Sequence, residues 1–158
     1  MSGSAPKVTA PKFPDAKFAI ITAQWHPEIC GALVAGAKRA LSEASISDVE
    51  VIEVPGSFEL PLAAKYALES GADAAVVLGV VLRGETPHFD YVCQGVTSGV
   101  MQLSLSMGKP IGFGVLTVDT IAQAVARAGG TGSKEDKGYD SAIAALELLR
   151  VKRDRVIG

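Results

Sequence analysis

DAAVVLGVVLRGETPHFDYV, residues 73–92, is the stretch that decides the fold. Its first ten positions are apolar almost throughout, with no alternation of polar and apolar residues. A strand with one wet face alternates. A strand buried on both faces does not, and such strands belong to parallel sheets covered by helices. The run then breaks at Arg83-Gly84-Glu85, and Thr86-Pro87 reads as a helix start. Threonine offers a side-chain acceptor at a helix boundary, and proline is favoured at the first helical position. Asp90 falls in the first turn, where the helix dipole favours an acidic residue.

The same unit recurs outward from this stretch. KFAIITA (17–23), VEVIEV (49–54) and PIGFGVLTV (110–118) read as strands. Segments 27–44, 58–70, 87–107, 120–128 and 139–156 read as helices, several of them closed by glycine: Gly71, Gly108 and Gly129-Gly130. Four strands alternating with helices predict an α/β fold with a four-stranded parallel sheet between two helical layers, a three-layer αβα arrangement. The first 15 residues, rich in Ser, Gly and Pro, read as a flexible arm, with Val8 and Phe13 able to dock; residues 16–158 read as one domain.

Composition narrows the function. The chain has 158 residues, 48% hydrophobic and 20% charged, with a formal net charge of -2. That is an ordinary globular balance without a basic run, which argues against nucleic acid as partner. No leader-like apolar segment is evident, and no run approaches the roughly 18 apolar residues of a membrane span, so a cytoplasmic protein is expected. Two cysteines, Cys30 and Cys93, make no disulfide framework and are expected to be buried, inert thiols on helices.

In parallel sheets of this kind ligands bind beyond the carboxyl ends of the strands. Gln24-Trp25-His26 follows the first strand, Pro55-Gly56-Ser57-Phe58-Glu59 the second and Arg83–His88 the third. The fourth carries Phe113 and ends in Asp119. Gly84 lets backbone approach a ligand, and free N–H groups at the following helix start suit an anion; the Glu85 side chain should point away from it. His88, in that first turn, is a candidate proton carrier. Ser57 reads as a helix cap, and Glu59 either complements the helix dipole or accepts from ligand hydroxyls. Trp25 and Phe113 are either core residues or stacking faces for a flat ring. Arg127 and Lys137 bracket a glycine-rich loop and are the cations placed to fold over an anionic or polar ligand. His26, before Pro27, has the weaker claim to a role.

PGSFELP, GVVLRGETPHFDYV, FGVLT and ARAGG…EDKG, in that order with Trp25 upstream, resemble the lumazine synthase family over residues 17–155. The resemblance implies a flavodoxin-like fold and condensation of 5-amino-6-(D-ribitylamino)uracil with 3,4-dihydroxy-2-butanone 4-phosphate, without cofactor or metal. It implies Trp25 as the ring-stacking residue, Ser57 and Glu59 as ribityl contacts, and Val80, Val81 and Leu82 as the backbone edge that reads the uracil. It further implies Gly84, Glu85, Thr86 and Arg127 at the phosphate, His88 in proton transfer, and Phe113 and Lys137 supplied across a subunit boundary or closing over the site. Trp25 stands where the family more often has Phe. The family's arm adds a strand to a neighbour's sheet, and its assemblies are built on pentamers. The loop after Gly129 is longer than in the forms associated with sixty-subunit shells, so a free pentamer or a pair of pentamers is expected. Two other readings stay open on the residues alone: a flavin- or phosphate-binding module without catalysis, and a structural shell protein of the same fold.

Overall fold

The apolar run lies at the centre of the sheet. A computed structural model describes Gly3 and residues 5–156. Strands β1 (Lys17–Ala23), β2 (Asp48–Val54), β3 (Ala74–Leu82) and β4 (Ile111–Val118) form one sheet in the order β2-β1-β3-β4. Every pairing is parallel. The helices are α1 (Pro27–Glu43), α2 (Leu60–Glu69), α3 (His88–Met107), α4 (Ile121–Val125) and α5 (Lys137–Val156).

Alternate residues of the inner strands serve opposite layers, as the two-residue period of a strand requires. Phe18, Ile20, Val76 and Leu78 pack with Leu33 and Leu41 of α1 and Leu146 of α5. Ala19, Ile21, Ala75 and Val77 pack with Leu60 and Leu68 of α2 and Val96 of α3. Hence eight of the nine residues of β3 are buried. The expected three-layer αβα fold is the observed one.

Two features of the ladder position the site. The β1–β3 register ends at Thr22–Leu78, whereas β3–β4 pairing continues to Leu82–Val118. Residues 79–82 of β3 therefore run past β1, and the backbone edge turned toward β1 has no strand beside it. The second feature is β4 itself, an edge strand on which Phe113 and Thr117 stay exposed.

Local structure departs from the sequence reading in four places. The helix expected over 120–128 is the single short α4, capped by Thr120, whose hydroxyl accepts from the Gln123 N–H at 3.3 Å. It stops early because the chain must turn at Gly129, where φ is +83°. α5 begins at Lys137, ahead of the expected start, because Asp136 caps it: its carboxylate accepts from the Tyr139 N–H at 3.0 Å. Ser57 does not cap α2. It opens a 3-10 turn, Ser57–Glu59, in which the Glu59 carboxylate reaches back to the Gly56 N–H at 2.9 Å. Finally, Cys30 is buried as expected but Cys93 is only half-buried.

The arm is docked over its second half. Ala10 and Phe13 are buried, the Phe13 N–H donates to the Ala44 carbonyl at 2.9 Å, and the Arg153 guanidinium lies 4.9 Å over the Phe13 ring. Val8 stays exposed. Met1, Ser2 and Ser4 of the expected arm lie outside the described residues.

Candidate active site

The strand order creates a switch point: from β1 the chain crosses to β2 on one side, and β3 lies on the other. Ligands of open α/β sheets bind in the crevice beyond such a point. A groove of about 520 Å³ lies there. One wall is Trp25 and His26 after β1; another is Gly56–Glu59 after β2; the floor is Val80–Leu82 of β3; Gly84 and His88 close the far end.

Each wall has a local cause. His26 holds a left-handed conformation, φ 56° and ψ 63°, at the junction of β1 and α1. The sharp turn leaves Trp25 at 68% exposure with its ring 6.4 Å from the imidazole, between centroids. An indole that exposed is not core, so the core reading of Trp25 falls. Gly56 lies against the indole, and a Cβ there would stand in ordinary contact with Trp25 Cδ1 at 3.4 Å. The Arg83 N–H donates to the Val118 carbonyl at 2.9 Å, and the Arg83 side chain bonds Asp119 at 2.6 Å. The guanidinium also lies 4.2 Å over the Phe89 ring, with Asp90 at 3.7 Å. Its charge is thus committed to fastening the Gly84–His88 loop to the end of β4. That hydrogen bond to Asp119 raises the already high Arg83 pKa further.

At the helix start, the Thr86 hydroxyl accepts from the His88 N–H at a long 3.4 Å, and Pro87, at φ −63°, leads into α3. Glu85, Thr86 and His88 are all exposed. Glu85 and Thr86 flank the groove without lining it. Ser57 faces the other way. Its hydroxyl is buried without a partner among the described residues, tucked toward Gly79, where a Cβ would come within 2.5 Å of it. Ser57 therefore meets the groove through its backbone more readily than through its hydroxyl.

Phe113, Arg127 and Lys137 are brought together, but elsewhere. They line a second groove, of about 220 Å³, on the outer side of β4. Within one chain they are not joined to Trp25 or His88. The two cations are tied at the backbone, the Lys137 N–H donating to the Arg127 carbonyl at 2.9 Å. Glu135 sits between their side chains, 3.8 Å from each. Burial lifts the neighbouring Asp140 carboxyl above its usual range, against the opposing pull of Lys137. Glu135 and Asp136 carry no role in the sequence reading. The legible signal was an Asp three residues before Tyr139, a helix-capping spacing that a later assigned helix start concealed. A larger hollow, about 600 Å³, lies under the arm against α5. It holds neither histidine nor a strand end, so it is not the candidate site.

The groove geometry meets the comparisons at this point. The sequence profile of 6,7-dimethyl-8-ribityllumazine synthase matches residues 15–153. The chain belongs to that family. Among its relatives, the 6,7-dimethyl-8-ribityllumazine synthase of Streptomyces coelicolor is 53% identical over 154 residues, 97% of this chain and 96% of its own length. That of Paenarthrobacter aurescens is 56% identical over 130 residues, 82% of this chain and 80% of its own. That of a Nocardioides species is 45% identical over 155 residues, 98% and 96% respectively. The lumazine synthase motifs coincide with the walls described above: PGSFELP forms the β2 side, and GVVLRGETPHFDYV forms the floor and far end. No helix among the described residues is long and apolar enough to cross a membrane.

Proposed function

We propose that this chain condenses 5-amino-6-(D-ribitylamino)uracil with 3,4-dihydroxy-2-butanone 4-phosphate to 6,7-dimethyl-8-ribityllumazine, a step of riboflavin biosynthesis. The observation that carries the reading is the free edge of β3. Residues 79–82 extend beyond β1 on the floor of a groove walled by an exposed indole. An unpaired strand edge offers alternating N–H and C=O groups, which match the polar rim of a uracil. Trp25 supplies the face for its ring, and the Gly56–Glu59 turn faces the ribityl chain, with Glu59 accepting from its hydroxyls.

The reaction joins an amine to a ketone with loss of water, expels phosphate, and closes a second ring with loss of a second water. Protons must leave nitrogen and reach the departing oxygens. His88, exposed at the far end of the groove, is placed to carry them. The phosphate is held by the Gly84–Thr86 backbone at the start of α3 and by Arg127 and Lys137. In one chain these cations lie in the β4 groove, so they serve the groove of a neighbouring copy, with Phe113 beside them. Holding two reactive molecules together supplies much of the rate.

The assembly is a pentamer or a pair of pentamers, with the arm, through the exposed stretch around Val8, pairing with a neighbour's sheet edge. Two free thiols are consistent with a reducing cytosol. Mixing the two substrates with purified protein tests the function directly. Appearance of the lumazine absorbance supports it; substrate binding without product would reduce the chain to a binding module.

A further inference from the structure

We propose that Asp136 is the positioning residue of the anion site, pinning Arg127 and Lys137 in one geometry. The inference rests on the function proposed above. One carboxylate makes both attachments. It accepts from the Tyr139 N–H at 3.0 Å, capping α5 one residue before Lys137, and it pairs with the Arg39 guanidinium of α1. Its backbone forms an isolated antiparallel bridge to Ala128, the residue after Arg127. Both cations therefore leave the main chain within one residue of that bridge.

The surroundings are shaped around this carboxylate. Gly36 and Gly129 face it, and a Cβ at either position would overlap it. Arg39 belongs to a helix buried along its inner side, so the anchor is the rigid layer and not the loop. Tyr139 adds a second tie to α1 through its hydroxyl, which donates to Glu43 at 2.5 Å. By contrast, residues 129–136 between the cations contain no helix or strand. Without the pin, the loop would be ordered only when an anion binds, at the expense of affinity for that anion alone. A phosphate site needs its cations held, since charge-assisted bonds depend on direction as well as distance.

The experiment is a split of Michaelis constants on the assembled protein. Asp136→Ala should raise the constant for the phosphorylated substrate about tenfold, the scale of a lost cap, and leave that for the pyrimidine unchanged. Asp136→Asn keeps an oxygen for the Tyr139 N–H and should return the constant to within about threefold of wild type. Equal changes in both constants, or loss of turnover alone, overturn the proposal. If Asp136→Ala does not yield folded protein, Arg39→Met tests the ion pair, with an expected rise of about two- to fivefold in the same constant; no change overturns it. Calorimetric titration with inorganic phosphate reads the same cations without turnover. An inactive wild type whose phosphate affinity still falls on Asp136→Ala would fail the proposed reaction and leave the positioning role standing.

Discussion

Ser57→Ala separates a hydroxyl kept for binding from one merely enclosed. The Ser57 hydroxyl is buried and without a partner among the described residues, against Gly79. A buried polar group left unpaired costs about 1–3 kcal/mol. Removing it takes away that cost and one oxygen's worth of packing, so the variant should be more stable by about 1 kcal/mol. For a chain of this length that is roughly 2–4 °C in thermal midpoint. The midpoint must be read at one protein concentration, because assembly contributes to it. Binding should change little, because the hydroxyl faces the sheet and Ser57 meets the groove through its backbone; the pyrimidine constant should stay within about threefold, under one hydrogen bond's worth. A midpoint lowered by several degrees would show that the hydroxyl is satisfied in the folded protein. A tenfold weaker pyrimidine would show that it turns into the groove to meet ligand. Either result refutes the reasoning.

Arg127→Ala should raise the Michaelis constant for the phosphorylated substrate by about one to two powers of ten, the equivalent of one charge-assisted hydrogen bond; an unchanged constant removes Arg127 from the site. His88→Ala should lower turnover by about a hundredfold or less, because the reagents are intrinsically reactive, and should preserve pyrimidine binding. Equal turnover at saturation would make His88 a helix-end residue only. The hydrogen bond to Glu43 and burial push the Tyr139 phenol up to about 12. A group raised in the folded state stabilises fully below its unfolded pKa, about 10, and loses that contribution as pH climbs toward 12. Tyr139→Phe should therefore flatten the fall in stability between those values, measured by urea midpoint; an unaltered slope contradicts the assignment. Sedimentation at neutral pH should give five or ten chains, while an active monomer would contradict the shared site and a sixty-chain particle the loop-length argument.

The parts legible in the sequence are those with a local cause. A short apolar run without alternation, closed by turn residues, suits an inner parallel strand, and β3 lies where that logic puts it. The glycine closures of α2 and α3 are likewise local. Ser57 misled because Ser, Gly and Glu near a helix start satisfy two capping schemes, and the choice depends on Gly79, more than twenty residues away. The α4–α5 connection misled for a related reason. Thr120 and Asp136 are both good caps, but which residues they cap depends on the bridge between Ala128 and Asp136 and on Arg39 of α1. The second of these reaches across 97 residues of sequence. The grouping of Arg127 with Lys137 was readable from the loop they bracket. Their distance from His88 was not, since it follows from strand order, and sequence spacing does not report strand order.

That order also links assembly to chemistry. With the strands arranged β2-β1-β3-β4, the groove walled by Trp25 forms over β1 and β3, while Phe113 and the cations line the outer side of β4. On the proposed function, a single chain would bind the pyrimidine but hold the phosphorylated ketone poorly, with the helix start at Gly84–Thr86 and beside it only the Arg83 guanidinium, already paired with Asp119. In the proposed assembly, bringing the β4 side of one copy to the groove of the next would supply what each lacks, by a head-to-tail contact able to close into a ring. The exposed side chains fit this requirement: Phe58 lines the first groove and Phe113 the second, and both are at least 40% exposed in the single chain. Dilution below the assembly threshold should therefore abolish turnover before it abolishes pyrimidine binding. Equal loss of both would mean that the groove itself, and not only its anion end, depends on the neighbour.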